Sequence, residues 1–81
     1  MTNDEVLLEL RSLITEINGI DSSLIINNSK IVELQIDSLD FFDVIDSLER
    51  KFNISISNSI ASRVNTVGDL IDYIIELRTN K

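Results

Sequence analysis

Cysteine and histidine are both missing from this chain. Without cysteine there can be no disulfide and no thiolate metal site, and a reducing compartment suits the protein. Without histidine the commonest general base and the commonest zinc ligand are gone. The chain cannot assemble a Cys- or Ser-His nucleophile of its own. That argues against an enzyme, and no metal site is expected. Proline is absent as well, and the sequence carries no repeat and no low-complexity tract. No apolar run approaches the ~20 residues that cross a bilayer. Cations are scarce: 7 Lys and Arg stand against 14 Asp and Glu, for a net charge of −7. Nucleic acid and anionic membranes are poor partners for such a chain, and basic patches on other proteins are better ones. The acidic opening Met1-Thr2-Asn3-Asp4-Glu5 does not read as a signal peptide, so a cytoplasmic protein is expected.

What is present fits one small domain over residues 1–81. A chain of this length buries only roughly 60% of its unfolded surface, so its stability is expected to be modest. Thr2 or Asn3 opens a first helix, and Thr2, with Glu5 three residues on, has capping-box spacing. Val6, Leu10, Leu13, Ile14 and Ile17 repeat at helical intervals, and Asn18-Gly19 ends the run. Residues 20–36 form a long connection broken at Asn27-Asn28-Ser29. Ile25, Ile26, Ile31 and Val32 are apolar without clear period; the isoleucines are expected to be pinned on the core, with one helical turn near Ser29–Glu33. A central helix runs from Ser38 to Phe52. Ser57, Asn58 and Ser59 can cap a short helix reaching about Val64. Thr66, with Asp69 at N3, starts a last helix whose stripe is Val67, Leu70, Ile71, Ile74 and Leu77, with Arg78 and Lys81 at its C-terminal end. The expected fold is all-α: a small four-helix bundle of three main helices and one short one, with a long loop between helices 1 and 2.

The central helix has the clearest start in the chain, since Asp37 and Ser38 are both good N-cap types. On a helical wheel Phe41, Val44, Ile45, Leu48 and Phe52 share the core side. Leu39 and Phe42 fall on the opposite flank among Asp40, Asp43 and Asp46. A small monomer has little reason to place a Leu and a Phe on its wet side unless something docks there. Glu49 reads as part of the solvated face.

From Leu34 onward the chain resembles an acyl carrier protein. The resemblance rests on Asp37-Ser38-Leu39-Asp40, on Leu48-Glu49 and Phe52, on Ile54 and Ile56, and on Val64, Thr66-Val67 and Asp69-Leu70-Ile71-Asp72-Tyr73-Ile74. It implies that Ser38 is the attachment point of 4′-phosphopantetheine, whose thiol holds an acyl group as a thioester. It also implies a partner set: a holo-carrier-protein synthase (phosphopantetheinyl transferase) that installs the arm from coenzyme A, and acyl-loading and condensing enzymes bearing basic patches. Leu39 and Phe42 would be the apolar centre of the docking patch, with Asp37, Asp40 and Asp43 around them. Phe41, Val44, Ile45, Leu48, Phe52 and Ile71 would form the core and acyl groove.

Three features depart from that family pattern. Gln35 stands two residues before the motif, where a glycine is common. Arg50-Lys51 and the stretch Ser57–Arg63 replace the acids expected late in the central helix and in the third. Phe41 occupies a position usually held by a smaller residue that faces the groove. The expectation is a carrier for a dedicated fatty acid, polyketide or related pathway, handling short cargo. An aminoacyl or peptidyl carrier, such as one for D-alanine, is an alternative, though the Gly-Gly pair common before the motif in peptide-synthetase carriers is missing. An unmodified helical docking protein with the carrier fold is a second alternative. A small acid-dependent hydrolase ranks last, because no paired carboxylates can be identified from spacing.

Overall fold

The computed structural model describes residues 2–79. Helix α1 spans Asn3–Asn18. Its start is a reciprocal cap: the Thr2 hydroxyl accepts the Glu5 N–H (3.2 Å), and the Glu5 carboxylate accepts the Thr2 N–H (3.0 Å). Its end is Gly19 at φ 73°, whose N–H donates to the Thr15 carbonyl at 2.8 Å. Helix α2 spans Ser38–Phe52, α3 Asn58–Ala61 and α4 Val67–Thr79. The ends expected for the two long helices, Asn18 and Phe52, are where they stop. Lys81, expected near the end of α4, lies outside the described residues.

Helix α1 packs on both α2 and α4. One continuous apolar cluster fills the space between the helices. Val6, Leu10 and Ile14 come from α1, Val44, Ile45 and Leu48 from α2, and Val67, Leu70, Ile71 and Ile74 from α4. Phe41 and Phe52 are only partly buried and pack against the cluster's edge. Fully burying a side chain such as Leu48 contributes about 1.5–3 kcal/mol, so the α2 stripe accounts for much of what fixes this helix in place. Polar ties close the frame: Arg78 Nη1 donates to the Phe52 carbonyl (3.0 Å), and Lys51 Nζ meets Glu9 Oε2 at 2.8 Å.

The connection between α1 and α2 departs from expectation. It contains two 3₁₀ turns, at Ser22–Leu24 and Ile31–Leu34, where one turn was expected. Ile25 is fully buried and Ile31 half-buried, but Val32 is exposed, and Ile26 is 47% exposed and does not pin the loop. Backbone bonds do that instead. The Val67 and Gly68 amides donate to the carbonyls of Ser29 and Asn27, each at 2.9 Å, and the Ile31 amide donates to Asn65 O at 2.8 Å. The first amides of a helix have no partner within it. Here the loop supplies carbonyls for two of those in α4. A Cβ on Gly68 would lie 3.1 Å from Asn27 O, so glycine allows this close approach.

Helix α3 also ends earlier than expected, at Ala61 rather than near Val64. Ala61 is its only buried residue. Beyond it, Ser62 bonds back to the Ser59 carbonyl at 2.9 Å, and Val64 packs against the core from outside the helix.

Candidate functional site

The candidate site lies at the leading end of α2. Asp37, not Ser38, is its N-cap: the Asp37 carboxylate accepts the Leu39 N–H over a long 3.4 Å, and the Asp37 carbonyl accepts the Phe41 N–H at 2.8 Å. Ser38 is therefore the first residue of the helix proper. It is exposed, and its hydroxyl has no hydrogen-bond partner among the described residues. The amides of Ser38 and Asp40 likewise have none. A helix start with free N–H groups and its positive dipole end favours a negatively charged group beside it.

The approach to this serine is tight. Gln35, at the end of the second 3₁₀ turn, takes φ 56° and ψ 37°, a left-handed conformation that non-glycine residues adopt at a cost. A glycine-type turn is thus made here without glycine.

Around Ser38 the expected residues separate into two sets. Leu39 and Phe42 are exposed, at 73% and 50%, with Asp37 and Asp43 exposed beside them and Asp40 half-buried. Val44, Ile45, Leu48 and Ile71 are buried in the core. Phe41 stands between the sets. One turn along from Ser38, it lines a recess of about 490 Å³ between the loop, α2 and the α3–α4 connection. Ile31 and Val32 form one wall of that recess, and Ala61, Ser62 and Val64 the other. Lys30 and Asn65 complete it. Sequence periodicity did not reveal this recess, because its walls meet across some thirty residues of chain.

The far end of α2 is less basic than its sequence suggests. Arg50 pairs with Asp46 (2.8 Å) and Lys51 with Glu9. Glu49 is not merely solvated: its Oε2 accepts the Ile56 N–H at 2.8 Å and ties the segment after α2 to the helix.

The family model for the phosphopantetheine attachment site matches residues 9–74. An acyl carrier protein of Chlamydia caviae is 45% identical over 67 residues, covering 82% of this chain and 87% of that one. The chain belongs to the acyl carrier protein family. Its fold agrees with a crystal structure of an acyl carrier protein from Thermotoga maritima, at TM-score 0.85 and 24% identity over 96% of this chain and 92% of that one. It also agrees with the solution structure of a hexanoyl carrier from the actinorhodin polyketide synthase of Streptomyces coelicolor, at TM-score 0.77 and 26% identity over 99% and 93%. Acyl carrier proteins are carriers rather than enzymes, and their cofactor is a covalently attached 4′-phosphopantetheine. The residues present fit that group. Ser38 offers a reachable, unengaged hydroxyl at the start of a fifteen-residue helix with free amides beside it. No helix among the described residues is long and apolar enough to cross a membrane.

Proposed function

We propose that Ser38 carries the 4′-phosphopantetheine arm and that the protein is a discrete carrier serving a dedicated fatty acid, polyketide or related pathway in the cytoplasm. Bound there, the group supplies a terminal thiol on which an acyl unit is held as a thioester. The observation that carries the assignment is the division of labour at the start of α2: Asp37 makes the cap, so the Ser38 hydroxyl is exposed and not committed to the fold. A serine loaded by an external transferase needs reach and not a neighbouring base, which agrees with a chain that has no histidine.

The docking face is read as Leu39 and Phe42 at its centre with Asp37, Asp40 and Asp43 around them. A basic partner surface is steered by those carboxylates, while each exposed pair adds little affinity, so contacts are brief and salt-sensitive. The charges of Arg50 and Lys51 are met within the protein. Partner contacts near that end therefore meet a nearly neutral surface, and this supports enzymes other than those built for a uniformly acidic carrier. Phe41, one turn along α2 from Ser38, occupies volume at the recess, which supports short cargo, because interiors are packed too tightly to ignore a phenyl ring.

Incubation with coenzyme A and a promiscuous phosphopantetheinyl transferase tests the assignment. The protein is expected to gain the mass of one arm, and Ser38→Ala to gain none. Modification of the Ser38→Ala variant, or an unmodified wild-type chain, overturns it.

A further inference from the structure

We infer that the recess beside Phe41 selects acyl groups whose far end bears a carboxylate; this rests on the placement of the arm at Ser38. Fourteen acids are spread over the chain, yet no Asp or Glu lines this recess, and Lys30 does. Lys30 also lines a larger recess, about 650 Å³, whose wall includes Asp21 and Glu33. Of these two recesses the smaller is the one without an acid in its wall.

Lys30 has no ion-pair partner among the described residues. Arg50 and Lys51 are paired, and Arg11 and Arg78 bond to the carbonyls of Ile25 and Phe52; Arg63, which does not line the recess, is the other described cation with no side-chain partner among the described residues. An ammonium on a flexible four-carbon stem can follow a ligand over the mouth of a shallow site. Of the polar groups beside it, Asn65 is open to an anion and Ser62 is not. The Asn65 side chain makes no bond among the described residues, and the Ser62 hydroxyl is held by the Ser59 carbonyl at one edge. Phe41, Ile31 and Val64 provide an apolar floor for methylene groups. An apolar floor with a cation and an amide at its rim fits a short chain ending in a carboxylate. It does not fit one ending in an ammonium, which Lys30 repels, nor a long alkyl chain, which Phe41 blocks.

The test uses the intact protein loaded through coenzyme A analogues, with a glutaryl or a pentanoyl group joined by an amide in place of the thioester so that neither is lost. Intact mass reports the loading, and ¹⁵N chemical shifts report the recess. The glutaryl form is expected to move the amides of Ile31, Ala61 and Val64 relative to the unloaded arm, and the pentanoyl form to move them less. Lys30→Gln, and added salt, should each lower the occupancy of the glutaryl form by roughly two- to fivefold, the range of an exposed ion pair. If no arm is gained, the Ser38 assignment falls and this inference with it. If the arm is gained but glutaryl and pentanoyl forms give the same shifts, or Lys30→Gln leaves the glutaryl shifts unchanged, the inference alone is overturned.

Discussion

Replacing Gln35 with glycine should make this protein more stable, although it removes a side chain. Gln35 sits at φ 56° and ψ 37°, two residues before the cap of α2. A left-handed conformation costs a residue with a Cβ about 1–2 kcal/mol, and glycine almost nothing. Against that, glycine frees the unfolded chain, a penalty of about 0.4–1 kcal/mol. The side chain of Gln35 is exposed and makes no hydrogen bond among the described residues, so little else is lost. The backbone bond from its amide to the Val32 carbonyl, at 3.3 Å, is kept. The net gain is about 0.5–1 kcal/mol, which for a domain of this size raises Tm by roughly 2–8 °C. Urea unfolding followed by circular dichroism should show a higher midpoint with an unchanged slope. Gln35→Ala keeps the Cβ and should give no such gain. Asn53→Gly provides a second control: Asn53 has φ 54°, but asparagine tolerates this region, so the benefit there should be smaller. A Gln35→Gly protein no more stable than the parent, or a gain equalled by Gln35→Ala, would refute the strain argument.

Gly68→Ala should act in the opposite direction. It gains about 1 kcal/mol of helix propensity at most, but pushes on Asn27 O and weakens the two bonds that hold the loop, each of net value about 0.5–1.5 kcal/mol. A net loss of roughly 1 kcal/mol is expected, with faster hydrogen exchange at the Val67 and Gly68 amides; unchanged exchange there would count against the clasp. Stability should also fall in acid. The N–H groups of Thr66 and Asn65 hold the Asp69 carboxyl below its ordinary range, and the N–H and hydroxyl of Thr2 do the same for Glu5. Carboxyls depressed in the folded state contribute stability that is present above their ordinary range and is lost as pH falls through the lower folded values. Asp69→Asn should flatten the fall in urea midpoint between neutral and strongly acid pH, and an unaltered profile would exclude Asp69 as a source. Leu39→Ala and Phe42→Ala should change stability by less than about 0.5 kcal/mol, because both side chains are exposed. Each should raise KM for a docking enzyme roughly fivefold or more without changing kcat, as expected for apolar anchors of an interface. Loss of stability without an effect on KM would return them to the core.

The features that could be read without coordinates are those that depend on neighbours within four residues. The Thr2–Glu5 box, the Gly19 stop and the start of α2 follow from local caps, and they stand where expected. The split of α2 into a buried stripe and an exposed Leu39–Phe42 pair follows from helical period alone. Even there the division of roles between Asp37 and Ser38 needed geometry, since either residue could have capped. What could not be read depends on distant chain. The loop is held through carbonyls of Asn27 and Ser29 reaching amides some forty residues away, and carbonyls carry no side-chain signature. Hence Ile26, apolar and expected on the core, remains in solvent. One clue was available: a glycine at position 68, inside the first turn of a helix, is costly unless something must come close. Glu49 shows the same limit, because its partner amide at Ile56 lies seven residues on, beyond the end of the helix.

The clasp between the connection and α4 bears on where this chain can be lengthened. Long surface connections ordinarily accept extra residues at little cost. Here the carbonyls of residues 27 and 29 are spaced to meet the adjacent amides of Val67 and Gly68. One residue grafted between them would shift that spacing and strip the final helix of its outside acceptors. The short turn at Ser22–Leu24 has no such obligation to α4, so a tag or reporter peptide belongs there, five residues upstream of a segment that should admit none.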